Sequence, residues 1–118
     1  IDGEAYPVVQ IAPREGFYDY KNKYQAGSTE EICPAPISKE LTERIQDVAK
    51  AAYKALHLKV YARMDFIVDD KEQIYCLEAN TLPGMTPTSL IPQEAAAVGI
   101  GYEDLCQMLV ELSLAKYE

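Results

Sequence analysis

The sequence has no run of about 18 apolar residues, so no segment of it is expected to span a membrane as a helix. Its opening, "IDGEAYPVVQIAP", lacks the basic flank and small-residue cleavage site of a signal peptide. It also lacks an initiator methionine, and "AYPVVQIA" already reads as a strand; together these predict a piece of a longer chain, cut upstream. Cysteine is scarce: Cys33, Cys76 and Cys106 are far apart and odd in number, with no CxxC pair. Neither a zinc site nor a disulfide framework is supported. A reducing, cytoplasmic setting with buried, inert thiols is the simplest reading. Histidine is scarcer still. His57 is the only one, and its place at a helix end suits it electrostatically rather than catalytically. Positive charge is also short, with 11 Lys and Arg against 19 Asp and Glu and a net charge of −8. That argues against a nucleic-acid partner, whose backbone needs a basic patch. There is no internal repeat and no low-complexity tract.

What remains is 118 residues, enough for one small domain. Residues 5–12 read as a strand. Residues 13–37 have no sustained period and carry proline, glycine and several tyrosines, so they read as one long loop. Loops beyond about 12–15 residues are usually functional or disordered. Phe17, Tyr18, Tyr20 and Tyr24 favour function, because disordered segments are poor in aromatics. Ser38 is placed to cap a helix of about five turns. Leu41, Ile45, Val48, Ala52 and Leu56 should form its apolar face. "VYARMDFIV" and "QIYCLEAN" are strands by β-branched and aromatic content, with "DDKE" as the turn between them. A short helix follows residue 86, capped by Thr88 or Ser89 and stopped by Gly99 and Gly101. Pro92 is tolerated there only in the first turn. A last amphipathic helix turns Leu105, Leu109 and Leu112 inward.

Strand periodicity concentrates the chemistry. Arg63 and Asp65 share one face of the first strand; Cys76, Glu78 and Asn80 share one face of the second. A two-residue loop at Lys71 and Glu72 would set Asp65 opposite Glu78 and Arg63 opposite Asn80. Opposed carboxylates repel unless a positive charge lies between them. One reading is a solvated polar face in which Arg63 dilutes the charge. The other is a cation site: two carboxylates and an amide oxygen form an all-oxygen donor set at the strand ends. Mg²⁺ takes such donors together with substrate phosphates, and a pair of ions can bridge a nucleoside triphosphate.

The stretch "RMDFIVDDKEQIYCLEANTLPGMTPTSLIPQEAAAVG" closely resembles the C-terminal part of D-alanine–D-alanine ligases of the ATP-grasp superfamily. The run "LEANTLPGMTPTSL" carries most of that resemblance, which extends back through "GFYDYKNKY" to the first strand. It implies an α+β fold: the ATP-grasp C-terminal subdomain, a largely antiparallel sheet with flanking helices and a long active-site loop, occupying residues 1–118. Asp65, Glu78 and Asn80 match the family's magnesium ligands, with Glu78 bridging two ions and manganese as an alternative metal. Arg63 matches the arginine that stabilises the tetrahedral intermediate, for which a permanent charge and fixed donors are suited. Gly84 matches the glycine whose N–H completes the oxyanion site, and Ser89 and Leu90 match the pair that holds the carboxylate of the second D-alanine. Lys23 and Tyr24 match the end of the active-site loop, meeting the γ-phosphate and closing the site. Phe17 matches a residue lining the adenine pocket.

The implied reaction uses ATP to phosphorylate one D-alanine carboxylate, and the amine of a second D-alanine then displaces phosphate. The product, D-Ala-D-Ala, feeds peptidoglycan synthesis. Retention of "YDYKNKY" favours an amine acceptor over D-lactate. The alternatives are another ATP-grasp carboxylate–amine or D-alanine–D-lactate ligase, or a non-catalytic binding module. The family's N-terminal domain and its central ATP-binding lysines have no counterpart here. The chain is therefore expected to need the rest of a ligase, which is homodimeric in many members, and to be inactive alone.

Overall fold

The computed structural model describes residues 1–13 and 29–117. In chain order the elements are β1 (Gln10–Pro13), β2 (Thr29–Ile32), α1 (Lys39–Ala55), β3 (Arg63–Val68), β4 (Ile74–Asn80), α2 (Leu90–Ala97) and α3 (Tyr102–Ala115). They form two antiparallel two-stranded sheets, β1–β2 and β3–β4, flanked by helices. The α+β class read from the sequence holds.

The first strand is shorter than residues 5–12, since ladder pairing starts only at Gln10. Pro7 has no N–H to give to a ladder. Val8 is tied instead through its carbonyl, which accepts from the Ala35 amide at 2.7 Å. The expected loop 13–37 is also corrected, because its last part contains β2. "TEEI" has no alternation to announce a strand, and its pairing with β1 is what makes it one.

Helix α1 starts as expected. The Ser38 hydroxyl accepts from the Leu41 amide at 3.1 Å, satisfying one of the free N–H groups of the first turn. Only the first half of its apolar stripe is covered: Leu41 and Ile45 are buried, whereas Leu56 is 56% exposed. The helix is tethered by Gln46, which donates to the Tyr6 carbonyl, and by Arg44, which donates to the Glu72 carbonyl at 2.9 Å. His57 takes a left-handed conformation (φ 54°) just past the helix, a cap geometry usually given to glycine.

The principal core lies between α2 and α3. Ile91 and Ala95 of α2 pack on Leu105 and Leu109 of α3, with Val60 closing the cluster. Met85, from the loop after β4, packs against it, so the Pro-Gly loop is seated on the core rather than floating above it. Pro92 is buried in the first turn of α2, and Gly99 (φ 87°) ends that helix, as read from the sequence. No cysteine is fully buried: Cys33 and Cys106 are half-buried and Cys76 is exposed, which corrects the expectation of buried thiols. Among the described residues no helix is long and apolar enough to cross a membrane.

Candidate active site

The β3–β4 hairpin places the carboxylates. Arg63 faces Asn80 and Asp65 faces Glu78, as the sequence reading expected. The route to that register differs. The loop is three residues, Asp70 to Glu72, not two, and Glu72 adopts φ 59°. A type I turn followed by a left-handed residue is the usual form of such loops. The Asp69 carboxylate organises it, accepting from the amides of Lys71 at 2.9 Å and Gln73 at 2.8 Å. The extra turn residue shifts the ladder by one, so Phe66 pairs with Cys76. A bulge at Leu77 then shifts it back, and Asp65 pairs with Glu78. Without the bulge, Glu78 would face Met64 and lie on the wrong side of the sheet. The same bulge moves Cys76 to the face opposite Glu78, which corrects its expected position. It also leaves Leu77 59% exposed beside the acidic pair, near Ile67 at 55%.

Arg63 grips Asp65 with two parallel bonds, Nε to Oδ1 at 2.9 Å and Nη2 to Oδ2 at 3.2 Å. This fork geometry suits a guanidinium and holds both side chains in one orientation. Glu78 is exposed across the ladder. The Asn80 Oδ1 accepts from the Leu82 amide at 3.0 Å, which fixes its amide and leaves that oxygen a second lone pair. Among the described residues no three His, Cys, Asp or Glu side chains cluster as a metal cage. The donor set is therefore two carboxylates and one amide oxygen. That fits a cation bound partly by substrate phosphate rather than one enclosed by protein.

The Pro-Gly loop has its own framework. Pro83 is buried and Gly84 exposed. A Cβ on Gly84 would lie 3.1 Å from the Ser89 Oγ. That oxygen accepts from the Thr86 amide at 3.0 Å and bonds the Thr86 hydroxyl at 2.7 Å. Ser89 is the cap residue of α2, yet its side chain makes no capping bond. Its hydroxyl faces back into the loop. The first amides of α2, from Leu90 onward, thus keep the free donors and positive dipole end that attract an anion.

Arg63, Asp65, Leu77, Glu78, Leu90 and Glu94 all line one open cavity of about 1140 Å³. The structure thus brings the hairpin residues and the start of α2 to one concavity. Gly84 and Ser89 stand in contact beside Leu90. Phe17, Lys23 and Tyr24 lie outside the described residues.

Glu94 was not anticipated. Burial pushes its carboxyl up to about 7, opposed by Arg63 and reinforced by Asp65. The sequence signal was there: Glu94 lies four residues after Leu90, on the same helix face, and is the one charged residue of the helix. Thr86 and Tyr102, both bonded into the Pro-Gly loop, were also missed.

A family model described as "D-ala D-ala ligase C-terminus" matches residues 2–111. The chain belongs to the D-Ala-D-Ala ligase C-terminus family. It is 50% identical over 117 residues to a D-alanine–D-alanine ligase of Desulfotalea psychrophila, covering 98% of this chain and 36% of that protein. It is 43% identical over 118 residues to one from Methylacidiphilum infernorum, covering 100% and 39%. The crystal structure of D-alanine–D-alanine ligase from Bacillus anthracis complexed with ATP superposes with a TM-score of 0.80 at 44% identity, over 97% of this chain and 37% of that one. VanG D-Ala:D-Ser ligase from Enterococcus faecalis gives 0.76 at 33% identity, over 91% and 31%. The chain thus spans 31–39% of the length of these ligases. Within this ligase family segment, the hairpin, the Pro-Gly loop and the start of α2 form the candidate site.

Proposed function

We propose that this chain is the C-terminal part of an ATP-grasp domain in an ATP-dependent ligase that joins two D-alanines to give D-Ala-D-Ala for peptidoglycan synthesis. The observation that carries the reading is the opposition of Asp65 and Glu78, with Arg63 and Asn80 next in the ladder, at the strand ends that lead into the Pro-Gly loop. The ligases at 43–50% identity support the choice of substrate.

Asp65, Glu78 and Asn80 are the residues to hold Mg²⁺, for which their oxygen donors fit. When bound, the metal would neutralise triphosphate charge and so ease phosphoryl transfer to a carboxylate. The remaining work falls to side chains and backbone. Arg63 offers guanidinium donors to the charge that develops on the acyl carbon's oxygen as the amine attacks. The Gly84 N–H offers a second donor there, since a residue without Cβ permits close approach. Ser89 and the Leu90 amide hold the carboxylate of the second D-alanine at the positive end of α2. Leu77 and Ile67 present exposed apolar surface beside the carboxylates, against which a flat adenine could lie. Lys23 is assigned to the γ-phosphate, Tyr24 to closing the site against water, and Phe17 to the adenine pocket. The first D-alanine's contacts belong to the rest of the ligase, and the 118 residues alone do not ligate. We place the enzyme in the cytoplasm, as a homodimer.

The test is D-alanine-dependent release of ADP and phosphate by the full-length protein, with the dipeptide identified by chromatography. Release that requires D-alanine is expected; ADP release indifferent to D-alanine, or none, overturns the reading. A second reading follows from the VanG D-Ala:D-Ser likeness: D-serine as acceptor. Offering D-alanine, D-serine and D-lactate against limiting donor separates these, and D-alanine is expected to win.

A further inference from the structure

The Met85–Thr86 peptide unit is held at both ends. Its carbonyl accepts from the Tyr102 hydroxyl at 2.5 Å, and its N–H donates to the Ser89 Oγ at 3.0 Å. A third bond, from the Ser89 amide to the Thr86 carbonyl at 3.0 Å, closes the turn. Tyr102 opens α3, and that helix is anchored by the fully buried Leu105 one turn on. The tyrosine therefore reaches the loop from a helix seated in the core.

The need for such a hold lies in Gly84. On one side Pro83 is buried and its φ is fixed by the ring. Gly84 itself is the residue least able to fix its own backbone. Unless Met85, the residue beyond it, is also fixed, rotation about Gly84 re-aims its N–H. We propose that Tyr102 is a positioning residue for the ligation site: by clamping the Met85 carbonyl it fixes the far side of Gly84, and through Thr86 it fixes the Ser89 hydroxyl. Tyr102 acts through the loop and touches no reacting atom. This inference rests on the ligase reading for its kinetic consequence but not for its geometry.

The experiment is Tyr102→Phe in the full-length protein, which keeps the ring and removes only the donor. The expected result is a fall in kcat of about tenfold, the order of loss that slight misplacement of a catalytic group causes. The KM for ATP should hold, because the hairpin is untouched, and the melting temperature should stay close to that of the parent. Amide hydrogen exchange at Gly84 and Thr86 should quicken while exchange in α3 does not. Met85→Ala, which removes core packing instead, should lower the melting temperature and so mark a merely structural loss. An unchanged kcat overturns the proposal, as does a tenfold loss with no change in exchange at Gly84 and Thr86. If the unsubstituted full-length protein does not turn over D-alanine, the ligase reading fails. The clamp is then decided by exchange alone, and unchanged rates overturn it.

Discussion

The hairpin and the Pro-Gly loop that follows it are built on opposite principles. In the hairpin, position comes from counting: a three-residue turn and one bulge decide which side chains face each other, with Glu78 exposed and Arg63, Asp65 and Asn80 half-buried. In the loop, position comes from hydrogen bonds: Tyr102, Thr86 and Ser89 hold a short stretch of backbone with no regular ladder. The charged half of the site should therefore be sensitive to where a residue stands in the ladder. The uncharged half should be sensitive to single contacts.

The largest effect should come from moving a carboxylate by one place. Leu77→Glu with Glu78→Ala conserves net charge and shifts the acid onto the bulge. On the proposed function, activity of the full-length protein should fall on the order of a thousandfold, matching several kcal/mol of lost charge stabilisation at the phosphates. Glu78→Ala alone should fall as far. If the relocated acid restored activity, the register would not matter and the contrast would fail.

Next comes Gly84→Ala. The new Cβ would meet the Ser89 Oγ at 3.1 Å, and that oxygen is already committed to Thr86. It must give up a bond to move, at a cost of about 1 kcal/mol in stability. Because a near-attack geometry is disturbed, kcat should drop by about ten- to a hundredfold. Adding Ser89→Ala should recover part of the stability loss, since the colliding hydroxyl is gone. Chemical denaturation of the four proteins in this cycle reads that coupling directly.

How much of each half could be read beforehand follows from the same difference. Asp65 opposite Glu78 came out as read, although period-two alternation holds in β3 and breaks in β4 at Leu77. The turn length was misjudged by one, and the bulge, which no local signal in "IYCLEA" announces, cancelled the error at the site but not at Cys76. Bulges answer to the partner strand, and a single strand does not show its partner. The same reason hid β2, whose "TEEI" becomes a strand only beside β1. In the loop, Ser89 was legible as a helix-start residue, but the direction of its hydroxyl depends on Thr86 and on α3, elements 3 and 13 positions away. Tyr102 read as one more residue of an amphipathic helix, since a hydrogen bond across 17 residues leaves no periodicity. The family resemblance supplied roles for Gly84 and Leu90 that pattern alone would not.

Glu94 lines the cavity that hairpin residues share with the start of α2, and it offers a pH measurement. Its carboxyl is raised from 4.5 to about 7, chiefly by burial. Between those values the unfolded chain has released its proton and the folded one has kept it, so stability falls as pH rises through this window. At about 1.4 kcal/mol per unit, the loss is of order 1–3 kcal/mol by pH 8. Glu94→Gln should remove that share of the slope and leave the protein more stable at pH 8 than the parent. Equal slopes for both proteins between pH 5 and 8 would show the carboxyl to be ordinary.

The smallest effect tests the counting mechanism at its origin. Glu72 holds the left-handed position of the turn with φ 59°, where a side chain costs roughly 1–2 kcal/mol. Glycine removes that cost but adds about 0.5–1 kcal/mol of chain entropy on folding. Glu72→Gly also loses an exposed ion pair with Arg44 at 3.8 Å, which contributes between about 0 and 1 kcal/mol. The bond from Arg44 to the Glu72 carbonyl needs no side chain and should persist. At the middle of these ranges the balance is a gain of about 0.3 kcal/mol, visible as a shift in the denaturation midpoint at constant slope. Since the turn sets the register, that gain should come with no change in the Asp65–Glu78 pairing. Glu72→Val, which puts a β-branched residue at positive φ, should lose stability instead. If glycine and valine shifted the midpoint equally, the left-handed residue would not be what fixes the turn, and the hairpin's register would have to be held elsewhere.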